Sequence, residues 1–520
     1  MPQHATGSVQ VRTTRFRRWR GRARVLTVAA AGVMLAAGLF ASPAAAVTTD
    51  ITLKPSAGPP TSKVTVTGNG FGAGETVVVD FSGTQRATAA TSSTGTFSAT
   101  FTVPRPALPG NHPVTATGQT SGRSAAKNFL VQTNWPKFHF DAASTGRNPY
   151  ENVISPATVS GLQTAWSEKS TSSVASSPAV YNGVVYVGAQ FGGLNAYSAT
   201  GGTLLWTGAT AMGINNSSPA VANGVVYVAA EDNKLYAFKA AGCGGTTCQP
   251  LWTAAIGNNS NADQSSPTVV NGVVYVSSGS ILDAFSTTSH ALLWSAPHVD
   301  DQSTPAVVNG VVYTGWNGFP AGLAAFSAKG TTGCTGPPLT CTPLWVGVAS
   351  NPGFSSPAVV NGVVYVGADT NLYAFSAAGC GGTTCQPLRH SVTSNIVSSS
   401  PAVANGVAYV TSADGNFYAF SASSGALLWT AVIGGFDNSS PAVANGVVYV
   451  GAHGVLYAFS ANGSSGCSGT PPNKTCGPLW TAPNPGGGNT TYSSAAVANG
   501  IVYIGQWNGL GPYFAAYKLP

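Results

Sequence analysis

Eight times between Ser176 and Tyr517 the chain repeats nearly one phrase: Ser-Ser-Pro-Ala-Val, one or two small residues, Asn-Gly, Val-Val-Tyr-Val, a short loop, then Leu-Tyr-Ala-Phe-Ser. Its tyrosine falls at Tyr186, Tyr227, Tyr275, Tyr313, Tyr365, Tyr409, Tyr449 and Tyr503, at intervals of 41, 48, 38, 52, 44, 40 and 54 residues. Each copy alternates short β-branched runs with turn residues, and a period of this length belongs to propeller blades. The predicted architecture is therefore all-β: an eight-bladed propeller of four-stranded antiparallel blades over residues 162–520.

The strands within a repeat follow from local chemistry. Ser-Ser-Pro-Ala-Val is strand A, Val-Val-Tyr-Val strand B, Leu-Tyr-Ala-Phe-Ser strand C and Leu-Leu-Trp-Thr strand D. Asn-Gly joins A to B because both residues accept the positive φ of a type I′ turn. Proline lacks an N–H and survives in a sheet only at an edge. Pro178, Pro219, Pro267, Pro305, Pro357, Pro401 and Pro441 therefore make A the innermost strand, with small Ser and Ala relieving crowding. Repeats one to seven end in a D strand, at Trp206, Trp252, Trp294, Trp345, Arg389 in place of Trp, Trp429 and Trp480. The eighth stops after strand C, and the missing strand is found upstream in Leu162-Gln-Thr-Ala-Trp166. That pairing removes an exposed edge and closes the ring.

Charge narrows the function classes. Only 7% of residues are charged, and the formal +7 is concentrated at the start, where seven arginines lie between Arg12 and Arg24. The remainder balances 15 basic against 15 acidic residues, without the basic stripe that nucleic acid requires. The arginines lead into an apolar run, Val25 to Phe40, and Ala41-Ser-Pro-Ala-Ala-Ala46. Residues 1–46 read as a secretory signal, with an uncut anchor as the alternative and Arg17-Arg18 as a hint of twin-arginine export. No membrane span is expected after cleavage, and the expected location is secreted, extracellular or cell-wall associated, in a bacterium.

All eight cysteines lie in the repeats as local pairs: Cys243/Cys248, Cys334/Cys341, Cys380/Cys385 and Cys467/Cys476. Their common position before Pro-Leu predicts structural disulfides, each pinching the base of an extended hairpin loop, in keeping with export. A shared zinc site would need four ligands together, and these pairs fall on different blades. Residues 47–131 carry short alternating runs bounded by Gly, Pro and Ser, the pattern of a β-sandwich. The phrases at 67–75 and 108–118 resemble bacterial immunoglobulin-like modules. Residues 132–161 form an aromatic connector in which Trp135, Phe138 and Phe140 are expected against the propeller's side or floor. His139 and Asp141 could suggest chemistry but read there as surface-packing and turn-capping residues.

Ala419-Phe-Ser-Ala-Ser-Ser-Gly425-Ala-Leu-Leu-Trp429 resembles the tryptophan-docking repeat of the pyrroloquinoline-quinone (PQQ) propellers, as do Ala196 to Trp206 and, loosely, Ala284 to Trp294. The resemblance implies blade-to-blade packing by Trp166, Trp206, Trp252, Trp294, Trp345, Trp429 and Trp480. Quinoprotein alcohol dehydrogenases of this family carry a disulfide between adjacent cysteines and a calcium ion held by carboxylate and amide side chains. This chain has no Cys-Cys dipeptide and no haem-attachment motif, and its carboxylates, Asp232, Asp263, Asp300, Asp301, Asp369, Asp414 and Asp437, are scattered. The family's outer-membrane assembly lipoprotein is anchored through a cysteine just after its signal, whereas the first cysteine here is Cys243.

No nucleophile elbow, zinc-protease helix or phosphate loop occurs. His112, His139, His290, His298, His390 and His453 are widely spaced. No catalytic residue and no metal site is therefore assigned. Loops joining D to A and B to C share one face and vary between repeats, as a recognition surface does. On that face Trp316, Asn317, Trp507 and Asn508 are candidate ligand contacts from repeats half a ring apart, against the alternative that each tryptophan packs its own loop. Asp300 and Asp301, with Asp263 and Asp437, are weighed as a cation site against turn capping. The reading is a non-catalytic binding or scaffold protein that needs no cofactor, its partner an unidentified extracellular protein, peptide or glycan. The rival is a divergent oxidoreductase using PQQ and calcium, and a third reading is a purely structural wall protein.

Overall fold

In the computed structural model, residues 48–169, 174–257, 264–350, 355–397, 399–435, 439–483, 493–508 and 511–520 are described, with backbone alone at 169, 483, 506–508 and 511–513. Residues 1–46, read from the sequence as a secretory signal, lie outside the described residues.

Residues 50–131 make two sheets. Asp50–Lys54, Lys63–Asn69 and Phe97–Thr102 form one; Ala57–Gly58, Ser124–Val131, Gly110–Gly118, Thr76–Phe81 and Thr84–Ala90, in that spatial order, form the other. Phe97–Thr102 alternates buried and exposed at every step, as a strand with one covered face must. The inner faces meet in a single core containing Val64, Val66, Phe71, Val77, Phe81, Phe101, Val114 and Phe129. Thr84–Ala90 was not legible as a strand because it carries no large apolar residue.

The rest of the chain forms eight further sheets among the described residues. In every one a three-residue strand such as Ala179–Tyr181 is the innermost of the blade's own four, followed by B, C and D. In the seventh, Arg147–Asn148 of the connector adds itself inside Ala442–Ala444. The inner strands touch their neighbours in cyclic order, and the last, Ala496–Ala498, returns to the first. Gln163–Lys169 pairs antiparallel with Gly511–Lys518, so an upstream segment supplies the outer strand of the eighth blade. The A–B turns carry the left-handed pair throughout, for instance Asn182 at φ +48° and Gly183 at φ +78°.

Most recurring letters of the repeat make a characteristic bond, although the Tyr449 hydroxyl and the Trp429 indole N–H are buried without one. The first serine accepts the N–H of strand B in its own blade, as Ser176 Oγ does from Gly188 at 2.7 Å and Ser303 Oγ from Gly315 at 2.9 Å. Strand-B tyrosines donate across to a carbonyl of the next blade: Tyr186 to Ala240, Tyr275 to Ala328, Tyr313 to Ala377, Tyr409 to Ala461 and Tyr503 to Ala199. Trp294 Nε1 reaches the same Ala328 carbonyl, and Trp166 Nε1 the same Ala199 carbonyl, each at 3.1 Å. Where the fifth blade has Arg389, its guanidinium bonds the Ala422 carbonyl that Tyr365 also uses, so the N–H donor survives the loss of the indole.

All four cysteine pairs, Cys243–Cys248, Cys334–Cys341, Cys380–Cys385 and Cys467–Cys476, are disulfides. The bridges do more than pinch their loops, because the two halves of each differ. Cys243 and Cys380 are exposed and Cys334 and Cys467 half-buried, whereas Cys248, Cys341, Cys385 and Cys476 are buried core residues. Cys341 packs in one cluster with Trp294 and Phe326, Cys476 in another with Trp429 and Phe459, and Cys248 and Cys385 lie in the equivalent clusters around Trp206 and Trp345. The cause is an added strand. Thr247–Cys248 runs parallel along the outer edge of the preceding blade, opposite Thr207 and Gly208, which carries the second sulfur under the docking indole. Thr340, Thr384–Cys385 and Thr475 pair with the preceding outer strands in the same way and seat Cys341, Cys385 and Cys476 there. Four bridged loops thus cover edges that would otherwise present unpaired backbone.

Candidate functional site at the central channel

The second residue of each Ser-Ser pair faces the axis and bonds sideways. Ser177 N–H donates to Ser218 Oγ (2.8 Å), Ser218 to Ser266 (2.9 Å), Ser266 to Thr304 (3.2 Å) and Thr304 to Ser356 (2.9 Å). The series continues from Ser356 to Ser400, Ser440 and Ser494, and Ser494 donates back to Ser177 at 2.9 Å. Every hydroxyl of this eight-membered collar accepts one backbone N–H, which leaves its O–H free to donate towards the channel. The collar bounds a cavity of ≈ 90 Å³ with Gln264, Gln302, Asn216 and, at its base, Phe138. The sequence reading gave these serines only a steric role; their recurrence beside Pro in successive blades was the available signal.

Below the collar the connector closes the channel. It runs round the inner wall and accepts the N–H of the middle residue of five A strands, passing over the third blade: Pro136 O from Val221, Ala142 O from Val307, Ala143 O from Val359, Thr145 O from Val403 and Gly146 O from Val443. Trp135 exchanges both backbone bonds with Val180, and Asn148 Nδ2 donates to Val497 O. Trp135 is fully buried, with Phe140 edge-on at 5.3 Å, so the aromatic residues lie in the floor of the ring.

A polar knot sits inside this plug. Lys137 Nζ uses its three protons on Phe138 O (2.7 Å), Asp141 O (3.2 Å) and Ser144 Oγ (3.2 Å). Burial holds its pKa down at about 8 against the opposing pull of Asp141. Burial, helped by the Lys137 charge, also holds His139 down at about 3, so the imidazole is neutral. Its Nδ1 lies 3.3 Å from Ser144 O, while Nε2 is buried without a hydrogen-bond partner. Asp141 caps Thr145 through both its N–H and hydroxyl. His139, Phe140 and Ser144 adopt φ of +59°, +74° and +54°, a conformation costing roughly 1–3 kcal/mol per residue that surrounding structure must enforce. With every ammonium proton engaged, the knot ties the connector's turn together.

The loop face departs from the sequence expectation at Trp316. Its indole is only 8% exposed, packed against Phe326 (6.1 Å) and His298 (5.8 Å), because Val299 and Phe326 offer an apolar seat. Asn317 is exposed and its N–H donates to His298 O. The side chains of Trp507 and Asn508 lie outside the described residues, as do Asp263 and Asp437. Exposed apolar side chains on the loops of this face include, among the described residues, Phe191 (82%), Met212 (53%), Phe319 (102%) and Ile396 (50%). Asp300 is buried and accepts the N–H groups of Gln302 and Ser303, while burial lifts its pKa to about 7. Among the described residues no three His, Cys, Asp or Glu side chains converge as metal ligands.

The family profile described as outer membrane protein assembly factor BamB, a PQQ-repeat profile, matches residues 160–378 and 385–510. The chain belongs to the PQQ-repeat propeller family. Among solved structures, the quinohemoprotein alcohol dehydrogenase of Comamonas testosteroni superposes with a TM-score of 0.55 at 14% identity, over 74% of this chain and 80% of that one. A europium-containing methanol dehydrogenase gives 0.54 at 13% identity over 74% and 98%. The computationally designed Ika8 protein gives 0.53 at 15% over 68% and 99%. These identities carry the fold alone. A comparison with curated proteins returns no match.

Some members of this family fold bind a quinone and a metal, so the channel of this PQQ-repeat propeller is the place to test for them. The described donor set is hydroxyl and amide, and Asp300 is committed to capping. A cavity of ≈ 90 Å³ is well below the roughly 300 Å³ at which cofactor-sized pockets begin. The described residues do not fit such a cofactor.

Proposed function

We propose that this PQQ-repeat propeller is a non-catalytic binding or scaffold protein that works without PQQ or calcium. The collar supports this reading, because eight hydroxyls bonded in a closed circle over a plugged floor leave space for a few waters. Recognition then falls to the variable loop face, where Phe191 and Phe319 offer apolar contacts to an extracellular protein, peptide or glycan. Residues 1–46 are assigned to export and 47–131 to an immunoglobulin-like spacer. Four disulfides are compatible with an oxidising compartment. No described helix is long and apolar enough to cross a membrane.

Titration of purified protein with PQQ and Ca²⁺, followed by absorbance and by dye-linked alcohol and sugar oxidation, tests the reading. The expected result is no stoichiometric uptake and no turnover. Saturable uptake at one cofactor per chain with substrate oxidation would overturn it in favour of a quinoprotein oxidoreductase.

A further inference from the structure

A second site candidate lies on the opposite face, where the N-terminal sandwich meets the Asn-Gly turns. Asn152 Nδ2 donates to Arg105 O (3.1 Å) and Ala107 O (2.9 Å), and Asn445 Nδ2 to Ile154 O (2.9 Å), which pins sandwich, connector and ring together. Between them is a two-lobed cleft. One lobe, of ≈ 200 Å³, lies among Thr61, Arg105, Tyr150 and Asn152; the other, of ≈ 170 Å³, among Arg105, Arg147, Asn405 and Asn445. Arg105, Pro149, Glu151 and Asn445 line both, so the lobes adjoin.

The charge of this cleft is lopsided. The ion pairs among the described residues are Lys127–Asp50 and Lys234–Asp232, so neither cleft guanidinium is neutralised. The one carboxylate in the wall, Glu151, keeps its charge against the two arginines but has its oxygens engaged: Oε1 accepts Val153 and Ile154 N–H, and Oε2 accepts Gly500 N–H. Arg147 is half-buried and fixed by its strand, whose parallel register sets it opposite Val443. Arg105 stands between Pro104 and Pro106 with its carbonyl held by Asn152. Two guanidinium forks carried on held backbone suit carboxylate or phosphate oxygens. Asn405 and Asn445 present amides for hydroxyls, and the Tyr150 ring, 36% exposed, offers an apolar face. Junctions between domains are where ligand pockets form.

We propose that this cleft binds an acidic saccharide, a hydroxyl-rich ring carrying a carboxylate or phosphate, with Arg105 and Arg147 as the anion contacts. The site is remote from the collar, so it stands whether or not the channel is inert.

Calorimetric titration of the full chain with tetragalacturonate, glucose 6-phosphate, maltotetraose and inorganic phosphate tests this. Saturable binding is expected for the first or second probe, which distinguishes a uronate from a sugar-phosphate source. Affinity should weaken at least about tenfold in R105A and in R147A, stay unchanged in R86A, and fall as salt rises. R147K should fall short of full affinity because an ammonium lacks the fork. R105A alters an exposed loop side chain, so it keeps the test open if R147A fails to fold. Equal affinity for maltotetraose, equal affinity for phosphate alone, binding indifferent to both arginine variants, or no binding by either acidic probe would each overturn the proposal.

Discussion

The N-terminal sandwich and the propeller are both all-β, yet they are held in different ways. The sandwich has one core, shared by two sheets and sealed at one end by Glu75, whose carboxylate accepts from Gly72, Thr120 and Ser121. The ring has several cores, and most lie between blades rather than within them. Tyr186 and Trp206 of the first blade, for example, share a cluster with Val226 and Phe238 of the second. A sandwich strand is stabilised by the sheet opposite, whereas a blade is stabilised by its neighbour and by closure of the circle. Local damage should therefore spread round the ring and leave the sandwich intact.

Trp294→Ala is the strongest way to break this contrast. The indole is fully buried between blades and bonds Ala328 O, so its loss should cost about 3–5 kcal/mol. Calorimetry should show the propeller transition lowered and the sandwich transition unmoved; joint lowering would mean the two regions unfold as one.

Acid should separate the regions next. Glu75 has its pKa lowered from 4.5 to about 2, first by the Ser121 hydroxyl bond and then by backbone N–H donors. Its contribution is present above pH 4.5 and lost as pH falls towards 2, so E75Q should flatten the sandwich's response in that window. In the ring, His139 is held at about 3 while the unfolded chain takes its proton near 6.5, which removes stability as pH falls between those values. Asp300, lifted to about 7, acts with the opposite sign, adding stability as pH falls from 7 towards 3.8. Relative to wild type, H139Q should gain and D300N should lose as pH drops through this range. Parallel pH profiles for all three chains would refute the assignment.

A smaller effect is expected from the straps. Replacing Cys243 and Cys248 by serine should cost roughly 2 kcal/mol, the loop-closure value for so short a segment. Since Cys248 also pairs with Gly208, hydrogen exchange should quicken in the first blade's outer strand as well as in the second blade. Arg389→Trp should do least. It keeps an N–H donor for Ala422 O, so Tm should hardly move, while R389A, which leaves that carbonyl to Tyr365 alone, should cost about 1 kcal/mol.

Much of the ring was legible because its rules are local. Asn-Gly marks a turn wherever it falls, and proline marks an edge. The short eighth repeat and the orphan strand at Trp166 pointed to each other by simple subtraction. Thr84–Ala90 was missed because a half-exposed strand of Thr and Ala has no apolar alternation to read. The cysteine pairs were legible from spacing, but the burial of Cys341 and Cys476 was not, since it depends on the strand that their loops lay along the blade before. Trp316 was left between two readings because an indole beside Asn-Gly looks the same in sequence whether it faces solvent or folds back; only Val299, His298 and Phe326 decide that. His139 and Asp141 were read as packing and capping residues, but nothing local shows that Lys137 is buried beside them.

By itself, the sequence determined the repeat, the blade order, the cysteine pairs and the strand that completes the eighth blade, since each depends on neighbours within one repeat or on a count of repeats. The tertiary structure alone decided that the serines close into a collar, that the connector becomes a plug, and that Arg105 and Arg147 share one cleft. Those arrangements join residues up to hundreds of positions apart, and their geometry exists only once the circle has closed.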